Sequence, residues 1–152
     1  MGPLHSSRSV LLGLVALLGV GSAQACSVMR RPLSDYLQQK VPQAVVFRGT
    51  VVSVKDKPSQ DGVRQPDIRF RVSHWYTGAR PKTVTVQGSV GSMAGTSCEG
   101  TFDFLPKPGE EWVVIGHRER GHIVPAPLSS VKVVDGTVPP EVAEALPRPR
   151  KR

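Results

Sequence analysis

Apolar and polar positions divide the chain into short extended runs separated by turn residues. Residues 44–54 form the longest such run, and they are rich in β-branched side chains. Gly49 interrupts that run, which predicts a bulge or a sharp bend. Residues 68–76 alternate. Ile68, Phe70, Val72 and His74 fall on one face, and Arg69, Arg71 and Ser73 on the other. Val84 and Val86 mark a third strand over residues 82–87, and residues 111–116 form a fourth that is apolar almost throughout. Shorter candidates lie at 122–124 and 131–134, and Phe102 and Phe104 sit at period two on a possible hairpin arm.

Helical periodicity occurs twice. Leu33, Tyr36 and Leu37 share one face of a segment over 32–40, where Pro32 suits a first helical position and Pro42 stops the helix. Residues 140–146 predict a second short helix. Gly, Pro, Ser and Asp fill the loop over 55–66, and Gly and Ser fill the connection over 88–100.

Five or six strands with at most two short helices, and no alternation of strand and helix, predict an antiparallel sandwich or small barrel. A glycine inside the longest strand favours the barrel, because a closed sheet must coil.

Residues 1–25 stand apart from this pattern. Arg8 precedes an apolar run over 10–20, and Ala23-Gln24-Ala25 supplies small residues for cleavage, the organisation of a secretory signal peptide. The apolar run is well short of the ~20 residues a spanning helix needs. The mature chain is expected to begin at Cys26 and to be secreted or periplasmic. A cysteine at that position is also where a lipid anchor is attached, which stands as the alternative. The expected organisation is a signal peptide over 1–25, a barrel over 26–136, and a short helix with a basic, disordered tail over 137–152.

With 15 Gly and 14 Pro in 152 residues, long helices have little room. Lys and Arg total 20 against 12 Asp and Glu, a formal charge of +8. Much of it is terminal: Arg148-Pro-Arg-Lys-Arg152 holds four cations. The body is therefore an ordinary surface with a basic end, not a basic domain.

The two cysteines of an exported chain predict one disulfide, Cys26–Cys98. It would close a loop of about 70 residues, worth roughly 4 kcal/mol in the chain-entropy model. It would also hold a terminus that otherwise frays.

The order of several short motifs resembles the TIMP/netrin-like module of the tissue inhibitors of metalloproteinases and their bacterial relatives. Cys26-Ser27 opens the mature chain, and a short helix and the strand Ala44-Val-Val-Phe-Arg-Gly49 follow. Phe70-Arg-Val-Ser-His-Trp-Tyr-Thr-Gly78, Ser97-Cys98-Glu-Gly100 and Glu111-Trp-Val-Val-Ile-Gly116 complete the likeness, which covers about residues 26–125. The resemblance implies an all-β, five-stranded OB-type barrel with one or two short flanking helices, and the Cys26–Cys98 disulfide. It further implies that the amine and carbonyl of Cys26 chelate the zinc of a target metalloproteinase. Ser27 would then enter the adjoining specificity pocket, with Val28 next on the contact edge. Val28 stands where the inhibitors carry a second cysteine.

Other chemistry finds less support in the residues. No Gly-x-Ser-x-Gly, His-Glu-x-x-His or phosphate-loop pattern occurs, so no catalytic residues, cofactor or enzymatic activity are predicted. Glu110 and Glu111 are adjacent, and adjacent strand residues face opposite ways. His117 and His122 flank a predicted hairpin turn, but their spacing matches no metal-ligand motif and no metal is expected. Arg69 and Arg71, continued by Trp75, form an alternative contact face for an anionic envelope polymer or glycan, with the basic tail assisting. Nucleic acid and an integral membrane segment are not expected.

Overall fold

The computed structural model describes residues 29–58, 61–78 and 80–148. Its longest strand is β1 (Ala44–Lys55), and β2 (Asp67–Thr77), β3 (Thr83–Gln87), β4 (Glu111–Glu119), β5 (His122–Pro125) and β6 (Val131–Val133) follow. Two short helices, α1 (Leu33–Leu37) and α2 (Pro140–Ala143), flank them.

β1 pairs antiparallel with two neighbours. Residues from Val46 to Lys55 face β2, and residues from Ala44 to Thr50 face β4. β2 continues to β3, β3 touches β5, and β5 returns to β4 as a hairpin. The order β1-β2-β3-β5-β4 thus closes on β1, a five-stranded OB-type barrel with β6 as one extra strand on β4. The barrel is not wholly antiparallel: β3 meets β5 parallel at Val86 and Ile123. The connection between β3 and β4 is too long to make a hairpin. Instead β3 and β5 meet in the same direction to close the sheet.

Continuous apolar runs reflect burial on both sides. Val45 and Phe47 of β1 and Val114 of β4 enter the barrel interior, where Ile68, Phe70 and Val86 meet them. Their neighbours Ala44, Val46, Val113 and Ile115 face outward into a second core. Leu33, Tyr36 and Leu37 of α1 cover that core, together with Val142 and Leu146. The amphipathic face of α1 is as expected, but the helix is shorter than the 32–40 segment. It ends where Gln39 takes a positive φ of 57°, and the Lys40 and Gln39 amides bond back to the Asp35 and Tyr36 carbonyls. Pro32 caps it from outside instead of opening its first turn.

Phe102 and Phe104 do not form a strand. Phe104 makes one isolated bridge with Ser89 and fills the barrel interior, while Phe102 stays in a turn. Among the described residues no helix is long and apolar enough to cross a membrane.

Two glycines permit the closure. A Cβ on Gly49 would lie 2.7 Å from the Arg71 carbonyl oxygen, and one on Gly116 would lie 2.2 Å from that of Val124. Both obstacles are backbone of a paired strand, so neither can swing aside. Gly116→Ala is expected to destabilise the fold by about 1–3 kcal/mol, the range for overpacking. Thr85→Ala on the exposed face should stay within ~0.5 kcal/mol. Equilibrium unfolding in urea measures both.

Candidate functional site

Cys26, Ser27 and Val28 lie outside the described residues. Cys98 is half-buried in the connection between β3 and β4, and it is disulfide-bonded. That connection is built of successive turns, each held by short-range bonds. The Cys98 amide donates to Thr96 Oγ1 at 3.2 Å, the Gly95 amide to Glu99 Oε2 at 3.1 Å, and the Gly91 amide to Asp103 Oδ1 at 3.0 Å. Its foot is fixed in the core, where Phe104 packs edge-on against Trp112 with ring centroids 5.4 Å apart. A covalent link at Cys98 therefore ties whatever it holds to a firm support.

Arg69 and Arg71 do share an outward face. Arg71 lies between Thr50 and Thr83, and Arg69 between Ser53 and Thr85, in adjacent rows across three strands. Both arginines are exposed, and among the described residues neither has an ion pair or a side-chain hydrogen bond.

Trp75 does not continue this face, as the simple alternation expects. The register of β2 against β1 slips at Ser73 and again at Tyr76, each an extra residue on β2. A bulge reverses the alternation beyond it. Trp75 therefore turns inward opposite Phe47, ring centroids 5.1 Å apart, and its indole N–H donates to the Pro81 carbonyl at 2.9 Å. His74 moves outward for the same reason, against Tyr76 at a ring distance of 4.6 Å.

Glu110 and Glu111 serve opposite sides, as adjacent positions should. Glu111 accepts two bonds from Arg48, at 2.8 and 2.9 Å, and the same guanidinium reaches the Gly136 carbonyl at 3.0 Å. This fork holds the Glu111 carboxyl below its usual range. Burial opposes the charge of Glu110. Bonds from Lys132 Nζ (2.7 Å), the Lys107 amide (2.9 Å) and the Trp112 indole (3.2 Å) outweigh it and hold Glu110 down at about 2.

The β4–β5 hairpin places His122 opposite Glu119 and His117 opposite Val124. Among the described residues no group of three or more His, Cys, Asp or Glu side chains is arranged to hold a metal ion.

One feature of the surface escapes a reading of single segments. A cleft of about 1160 Å³ opens beside the end of β2, with Arg80 and Lys82 on one rim and Arg148 on another. The readable signal is a pair of cations flanking Pro81 directly after a strand. Its meeting with Arg148, more than sixty positions on, is tertiary. No protein-family model matches the chain, and no curated protein matches it.

The depressed carboxyl of Glu110 fixes the sign of a pH effect. A carboxylate with a lowered folded pKa contributes stability that is complete above its ordinary value, 4.5, and is lost as pH falls toward the folded value of about 2. The stability of the native chain should fall across that window, and Glu110→Gln should flatten the fall while lowering stability at neutral pH. Urea midpoints measured from pH 2 to pH 7 check both.

Proposed function

We propose that this chain is an exported, non-enzymatic binding module that engages a protein partner through Cys26, Ser27 and Val28. The partner class implied by the resemblance is a zinc metalloproteinase. The observation that carries the reading is the disulfide at Cys98, on a connection whose foot is fixed in the barrel core. In this reading its partner is Cys26. The mature terminus is then covalently pinned instead of frayed, and it presents its amine at a fixed place.

Two physical arguments support the reading. The barrel interior is packed with Phe47, Phe70, Ile68 and their neighbours, which leaves recognition to the outside of the sheet and its ends. A neutral amine is a nitrogen donor suited to zinc, and a terminus already immobilised loses little freedom on docking. The amine must shed its proton to bind metal. Its ordinary pKa is ~8, so binding should tighten as pH rises toward that value.

The test compares mature protein carrying a free terminus with the same protein acetylated at Cys26. A panel of zinc metalloproteinases and a fluorogenic peptide read inhibition, and intact mass with and without reduction reads the disulfide. The free form should inhibit at least one enzyme about tenfold more tightly than the acetylated form, a difference of ~1.4 kcal/mol. Their thermal unfolding should coincide. Equal inhibition by the two forms, or two free thiols before reduction, would overturn the reading.

A further inference from the structure

We propose that the cleft at the end of β2 is a binding site for an anionic polysaccharide bearing carboxylate or sulfate groups. The site is independent of the N-terminal edge. It arises because β2 is longer than β3. The ladder between them ends at Arg71 and Thr83, and the Val72 amide makes one last bond to the Lys82 carbonyl at 2.8 Å. From Ser73 to Thr77, β2 has β1 on one side, and among the described residues it has no strand on the other.

The rims of this gap are cationic. Arg80 and Lys82 come from the β2–β3 connection, and Arg148 from the chain beyond α2. The outer core positions Arg148: Leu146 and Tyr76 both pack against it, which brings the following residues to the cleft. All three cations are exposed, and among the described residues no carboxylate lines the cleft. Among the described residues none of the three has an ion pair or a side-chain hydrogen bond. Arg71 precedes Val72, a residue that lines the cleft, and adds a further exposed cation on β2 opposite Thr83.

The remaining features select the class of anion. An acidic peptide adding a strand to β2 would need a regular edge, but the bulges at Ser73 and Tyr76 disrupt it, and bulges protect edges against such pairing. Nucleic acid held in single strands stacks its bases on free aromatic faces. Here Trp75 is packed on Phe47 and bonded to Pro81, and Tyr76 is packed in the outer core with His74 edge-on. A polymer read by its charges and its hydroxyls needs neither device.

The test uses the full mature chain, with heparin as the sulfated probe, polygalacturonate as the carboxylated probe, and an oligothymidylate as competitor. The double variant Arg80→Ser, Lys82→Ser is expected to bind at least one glycan about tenfold more weakly at 0.15 M salt, with a shallower salt dependence. Arg118→Ser with Arg120→Asn removes the same charge from the β4–β5 hairpin and should leave binding within about twofold. Thermal unfolding confirms that both variants fold. An equal loss in the two variants would mean that net charge alone is read, and would overturn the site. So would unchanged binding in the first variant, absence of binding to both glycans, or tighter binding to the oligonucleotide than to either glycan.

Discussion

The structure depends on one strand serving two neighbours while buried on both faces. The first half of β1 must pair with β4, nearly its whole length must pair with β2, and its side chains must fill an inner and an outer core at once. A straight strand cannot meet these demands. β1 bends at Gly49, where Arg71 approaches so closely that no side chain fits. The bend turns a sheet into a barrel, and the Arg48–Glu111 fork fastens the turn from outside. That fork also reaches Gly136, so the segment leading to α2 is tied to the same place.

The same constraint shows which parts of the fold were legible in the sequence. Unbroken apolar runs at 44–47 and 112–115 marked the doubly buried strands, and clean alternation over 68–72 marked the singly buried one. Leu33, Tyr36 and Leu37 marked the face of α1 that covers the outer core. These signals are local, since each follows from what its own segment must bury. The failures are non-local. Trp75 and His74 exchange faces because β2 gains one residue at Ser73 against its curving partner, and nothing within β2 announces the slip. Phe104 reads as a strand residue because it is apolar at period two, yet it is a single plug beneath a turn. The parallel contact of β3 with β5 follows from closure of the barrel, which no single segment encodes.

The candidate sites divide in the same way. The disulfide at Cys98 was legible because two cysteines behind a signal-peptide-like segment predict one bridge. Arg69 and Arg71 were legible because alternation places them outward. Arg80, Lys82 and Arg148 were not. Two belong to a loop and one to the basic end, and their common location depends on Leu146 and Tyr76 packing against the same outer core.

Charge pairing explains why a group of unpaired cations can stand about β2 although the body carries only a modest excess of cations. Much of the acidic complement is answered locally: Asp35 by Lys40, Asp56 by Arg64, Asp67 by Lys57, Glu110 by Lys132 and Glu111 by Arg48. Each pair consumes one cation near its carboxylate, and at distances beyond a Debye length of ~8 Å such a pair contributes almost nothing. Among the described residues, cations without an ion pair occur in several places, Arg30, Arg31, Lys55, Lys107, Arg118 and Arg120 among them, and five stand about β2: Arg69 and Arg71 on its face, Arg80, Lys82 and Arg148 near its end. Because neighbouring rim cations share one cleft, their fields add where a ligand would sit, and the low-dielectric wall of the barrel keeps those fields from being fully screened.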